Sequence, residues 1–171
     1  MNIQKKLEKY LQEHLEGRKT LFQKYRVIED ACCQAEVSFG SQASSDINQY
    51  IQENKEETFQ SKLFTLIDSR NLKDSDVYNK VDIDRRLFSK IRSNKDYHPS
   101  KETVILLGIA LELSEKEMED LLESASYSLP MNTTFDLIIR FCLKEKIYNL
   151  NQINEFLYEH KCKILSDNLS V

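Results

Sequence analysis

Between Arg85 and His98 the chain carries five cations, Arg85, Arg86, Lys90, Arg92 and Lys95, against one acid, Asp96. Guanidinium groups grip phosphates and carboxylates through paired N–H donors, and ammonium groups act as compact point charges. Downstream the sign reverses, with Glu112, Glu115, Glu117, Glu119, Asp120 and Glu123 against Lys116. A body with one basic and one acidic pole approaches a phosphate backbone basic face first, or stacks head to tail with another protein. Little other chemistry is on offer. Three glycines leave almost no material for a phosphate-cradling loop, and no nucleophile elbow, dinucleotide fingerprint or zinc-protease signature is present. His14, His98 and His160 are isolated in sequence; His160 and Cys162 lack the second ligand pair that a structural zinc site needs. Adjacent Cys32 and Cys33 cannot bridge each other without strain. With Cys142 and Cys162 they read as thiols of a reducing cytosol. The expectation is a non-enzymatic cytoplasmic protein with no cofactor and no metal.

Three short amphipathic helices must position the basic residues. Val77 and Val81, four apart, share one helical face. Asp82-Ile83-Asp84 then makes a turn, since Asp tolerates the left-handed backbone and Asp84 can cap the next helix. Over about 84–94, in "DRRLFSKIRSN", helical spacing sends Leu87, Phe88 and Ile91 inward and Arg85, Arg86, Ser89, Lys90 and Ser93 outward. Pro99-Ser100 opens "SKETVILLGIALEL", an apolar helix that closes the core beneath the pair. A helix at about Thr58–Asn71, with Phe59, Leu63, Leu66 and Ile67 on its inner face, precedes them, and "SEKEMEDLL" follows with its own cap.

Residues 57–127 resemble the DNA-binding domain of the lambda-repressor/Cro-like (XRE) helix-turn-helix family. "VDIDRRLFSKI" matches turn plus recognition helix, with Ile83, Phe88 and Ile91 at the apolar positions. "HPSKETVILLGIALEL" matches the next helix, and "SEKEMEDLL" the one after. The resemblance implies a DNA-binding transcriptional regulator that engages double-stranded DNA as a homodimer. Arg85, Arg86 and Ser89 would face base edges, and Lys90, Arg92 and Lys95 would hold phosphates. The chain departs from the pattern at Tyr78, where the family usually has a small alanine. A tyrosine there should push the two helices apart or turn its ring outward. Asp74, Asp76, Asp82 and Asp84 also lie on or beside the edge that would meet phosphates, where carboxylates are repelled. Those departures support an alternative: a protein-interaction adaptor on a helix-turn-helix scaffold, from a phage or phage-defence context.

The remaining chain adds partners rather than chemistry. With 171 residues, 30% charged, 40% hydrophobic, three Gly and two Pro, an all-α protein is expected: a Cro/lambda-repressor-like bundle with extra N-terminal helices and two C-terminal helices. A net charge of −4 argues against indiscriminate coating of nucleic acid. No apolar run reaches the length of a membrane span, and no signal core follows the N-terminus, so no membrane partner is expected. Ile3, Leu7, Leu11 and Leu15 recur at four-residue steps as a narrow stripe that must dock to be stable. Packing within the chain, or a contact with a dimer mate or protein partner, would satisfy it. A second helix is expected over 18–36. "SFGSQASSD" at 38–46 reads as a loop, dividing an N-terminal amphipathic segment, 1–45, from a helix-turn-helix-like domain with its extension, 46–171. Asp46 would cap a short helix carrying Ile47, Tyr50 and Ile51. After Pro130, "FDLIIRFCLKEK" and "NLNQINEFLYEHKCKIL" each show one apolar face, expected to pack back onto the preceding helices.

Overall fold

The structure, a computed structural model, describes residues 3–16, 41–54, 57–95 and 97–165; over 13–16 and 41–46 it describes the backbone alone. The helix expected over 18–36 lies outside these residues. Among those described, the chain is all-helical, without strands. The helices are α1 (Ile3–Glu16), α2 (Ser41–Asn54), α3 (Phe59–Ser69), α4 (Asp74–Lys80), α5 (Arg85–Ser93), α6 (Lys101–Ala110), α7 (Glu115–Ser124), α8 (Thr134–Lys144) and α9 (Leu150–Glu159). None among the described residues is long and apolar enough to cross a membrane.

The bundle is arranged around α6. Every residue from Thr103 to Ala110 is buried, as expected of a helix apolar on all sides. It packs against α4 on one side and α7 on another, and α7 contacts α3 and α8. At the α6–α7 crossing a Cβ on Gly108 would stand 2.6 Å from the Met118 sulfur, so this glycine leaves the space that the Met118 side chain fills. α8 carries α9 on one flank and α1 on another.

Helix starts follow the side chains that cap them. Thr58, Asp84, Ser100, Ser114, Thr133 and Asn149 each accept a hydrogen bond from a backbone N–H of the first turn. Ser114 and Glu117 form a reciprocal capping box. α2 departs from expectation: helix begins at Ser41, inside the run read as a loop and before the cap expected at Asp46. Ser, Gln, Ala and Asp each cost a helix interior only a few tenths of a kcal/mol, so small polar composition alone does not stop one.

Six helix ends share one device. Asn71, Asp82, Glu112, Ser126, Lys146 and Lys161 each adopt positive φ, between 53° and 59°. The residue after each, Leu72, Ile83, Leu113, Tyr127, Ile147 or Cys162, donates its N–H to the carbonyl five residues back. This is the Schellman arrangement, which returns an apolar residue to the helix it has just left. Glycine usually occupies the left-handed position, yet here all six bear side chains, so sequence punctuation by glycine is absent.

α8 and the segment that follows it close onto the centre through polar ties. Lys101 Nζ donates to Asp136 Oδ1 at 2.6 Å, and the Thr133 hydroxyl donates to Oδ2 at 2.7 Å; the Asp136 residue is 3% exposed. Arg140 reaches Glu115 at 2.6 Å and Glu119 at 2.5 Å. The Tyr148 hydroxyl donates to the Leu113 carbonyl at 2.9 Å.

Candidate nucleic-acid interface

α5 is short and two-sided. Leu87, Phe88 and Ile91 are buried, and Arg85, Arg86, Ser89, Lys90 and Arg92 are all exposed, as is Lys95 beyond the helix end. Asp82, at φ 53°, turns the chain, and the Ile83 N–H closes on the Tyr78 carbonyl at 2.9 Å. The Asp84 carboxylate then accepts from the Arg86 N–H and sets where α5 begins.

Helical spacing splits the outer face into two flanks. Arg85, Ser89 and Arg92, at i, i+4 and i+7, border an open groove toward α4 of about 400 Å³, which Tyr78 and Asp74 also line. Arg86, Lys90 and Ser93 form the other flank.

The α4 flank contains a neutralised cation. Arg92 Nη2 donates to Asp74 Oδ1 at 2.6 Å, and its guanidinium carbon lies 4.2 Å from the centre of the Phe64 ring. On the other flank the Lys90 ammonium stands 4.7 Å from the centre of Tyr97. Gln60 of α3 donates its side-chain amide to the Ile91 and Arg92 carbonyls, satisfying part of the open C-terminal end of α5. Of the residues expected to meet bases or phosphates, Arg85, Arg86 and Lys95 make no ion pair among the described residues. Arg92 is engaged twice.

Tyr78 resolves its crowding by packing. Its half-buried ring lies 5.5 Å from Phe88, centre to centre, and Phe64 meets Phe88 edge-on at 6.1 Å. This aromatic trio makes the floor beside the groove. Asp74 is half-buried against Arg92, whereas Asp76, Asp82 and Asp84 are exposed. Nothing local in sequence links Asp74 to Arg92 or Gln60 to Arg92: the partners sit on different helices, 18 and 32 residues apart.

The acidic pole lies at the surface but is largely paired within the chain. Glu112 pairs with Lys80 at 2.6 Å, Glu117 with Arg70 at 2.7 Å, and Glu115 and Glu119 share Arg140. The Glu117 carboxylate accepts from the Ser114 backbone N–H and hydroxyl and from Arg70, which hold it down at about 2. Only Asp120 and Glu123 of the six acids lack an ion pair among the described residues. Most of the charge run in the sequence is therefore paired across the surface with cations in or beside α3, α4 and α8.

The N-terminal stripe also faces inward. Leu7 and Leu11, 1% and 6% exposed, are buried within this chain's own core, where α1 lies on α8 and Tyr10 packs 5.6 Å from Phe141. Ile3 is 37% exposed, and the side chain of Leu15 lies outside the described residues. α2 is different: Ile47, Tyr50 and Ile51 are 49%, 67% and 53% exposed. His160 turns its ring to the Phe156 carbonyl, 2.8 Å from Nδ1, and burial pushes the Cys142 thiol up to about 12. Among the described residues no group of three His, Cys, Asp or Glu could hold a metal ion. No protein-family model matches the chain, and neither a curated protein nor a solved structure does.

Proposed function

We propose that the chain is a DNA-binding regulator of the Cro-like helix-turn-helix kind, with α4 and α5 as the paired helices and α5 as the reader. The observation that carries this reading is the pair of unpaired arginines, Arg85 and Arg86, at the first two positions of α5. A cation at the positive end of a helix is unfavourable by about 0.3–1 kcal/mol, so stability does not account for two of them there. An anionic ligand does. Arg86 faces base edges and is suited to a bidentate guanine contact, while Lys90 and Lys95 reach phosphates.

Titration against random duplex DNA at several salt concentrations, with selection of enriched sequences, tests this. Four cations on phosphates or bases give a slope of log affinity against log salt of about −3 to −4 per protomer. Selected sites with a dyad would indicate a homodimer on two half-sites. Arg86→Ala should cost about 1–3 kcal/mol and relax selectivity at one base pair. A loss spread evenly over all sequences would move Arg86 to the phosphates, and absence of binding at low salt would reject the reading.

One observation favours a second reading, a non-enzymatic adaptor. α2 exposes Ile47, Tyr50 and Ile51 together, an apolar strip of the kind that marks contact with another protein. In that case Ile47→Asp with Ile51→Asp abolishes association with a protein partner or second copy while leaving the melting of the bundle unchanged. Salt-sensitive DNA binding would then be missing from the unmodified protein.

A further inference from the structure

Resting on the DNA-binding reading, we infer that the groove between α4 and α5 is a seat for one backbone phosphate, and that Asp74 is its built-in competitor. The wall of the groove holds two guanidinium groups, Arg85 and Arg92, seven residues apart on one flank of α5, with Ser89 between them. Across from them stands Tyr78, anchored by its ring on Phe88. The hydroxyls of Tyr78 and Ser89 make no hydrogen bond among the described residues. Two forked cations and two open hydroxyl donors around a concave space suit a tetrahedral, doubly shared anion. They do not suit a base edge, which needs a protruding side chain.

This assignment divides the two neighbouring arginines. Arg85 belongs to the groove flank and positions the backbone, whereas Arg86 belongs to the outer flank and reads sequence. It also gives the Asp74–Arg92 pair a role. At 2.6 Å the carboxylate occupies one edge of the guanidinium, and the ring of Phe64 covers one face. A phosphate entering the groove meets that carboxylate at close range and finds Arg92 already satisfied. Affinity is thereby held below what the cation count would supply.

The test compares the full-length protein with Asp74→Asn, Arg92→Gln and the double variant on duplex DNA from 50 to 200 mM salt, with thermal melting to verify folding. Releasing Arg92 adds one phosphate contact, so Asp74→Asn should bind more tightly at low salt. Its affinity should then fall about 3.5-fold further across that range than that of the unmodified protein. The gain should vanish in the double variant. If Asp74→Asn binds with unchanged affinity and slope, the seat is rejected while the DNA-binding reading stands. If the gain survives Arg92→Gln, carboxylate repulsion alone explains it and Arg92 is not part of a seat. If the unmodified protein shows no salt-sensitive binding, both the seat and the reading beneath it fall.

Discussion

Replacing Lys101 with Met should loosen the joint between the central helix and the C-terminal pair, and the size of the effect follows from the environment of Asp136. That carboxylate is 3% exposed and has two partners, Lys101 on one oxygen and the Thr133 hydroxyl on the other. Met keeps the apolar stem of Lys101 and removes only the ammonium. Oδ1 then loses a charge-assisted bond, worth about 1.5–3 kcal/mol. A fully enclosed charge stripped of its mate would cost about 3–5 kcal/mol, but the Lys101 side chain is 25% exposed, so water can enter where the ammonium stood. The expected loss is about 2–3 kcal/mol, which for a chain of this size lowers Tm by about 4–12 °C. Asp136→Leu alone should cost about 1–2 kcal/mol, mainly the Thr133 bond and a favourable charge at the start of α8, because Lys101 can turn to solvent. The double variant should then be no less stable than Asp136→Leu, giving a strongly non-additive cycle. Urea denaturation followed by circular dichroism measures all four proteins. A Lys101→Met loss below about 0.5 kcal/mol, or additive single effects, would refute the view that this pair holds α6 to α8.

Two further perturbations address the caps and joints. The Glu117 carboxyl is held at about 2 against an ordinary 4.5, so its contribution is complete above pH 4.5 and is lost as pH falls through 2. The stability gap between the unmodified protein and Glu117→Gln should therefore shrink between pH 4.5 and 2 in urea titrations; a gap constant with pH would contradict the assigned hydrogen bonds. Lys146, exposed at φ 56°, bears the strain of a left-handed side chain, so Lys146→Gly should raise stability by about 0.5–1 kcal/mol by the same measurement. A loss would show that its stem packs usefully.

Much of the helical arrangement could be read from local pattern, because capping and face selection are local. The inner residues of α5, its cap at Asp84, the left-handed turn at Asp82, and the starts at Ser100 and Ser114 all depend on residues within a few positions of each other. What escaped was non-local or carried no distinctive residue type. Leu7 and Leu11 showed that α1 must dock, but their partner α8 lies more than 110 residues away. The acids between Glu112 and Glu123 looked unpaired because their cations, Arg70, Lys80 and Arg140, lie at the end of α3, on α4 and on α8. Arg92 looked available because nothing near it in sequence announces Asp74 or Phe64. Five of the six left-handed joints went unread because Asn, Glu, Ser and Lys stand where glycine would have marked them.

The docking of α1 on α8 has a consequence in time. Helices α4 to α7 pack against elements close in the chain, and α3 meets α7 about 50 residues later. α1 is synthesised before the other described helices, yet the surface that covers Leu7 and Leu11 is finished only when α8 is complete, about 130 residues later. At about 5–20 residues per second that is a wait of roughly 6–26 seconds. Through that interval a nascent chain shows its apolar stripe to whatever surrounds the ribosome. The clasp between α1 and α8 must wait for α8, so a chain halted before α8 is finished would keep that stripe uncovered and be a natural substrate for chaperones.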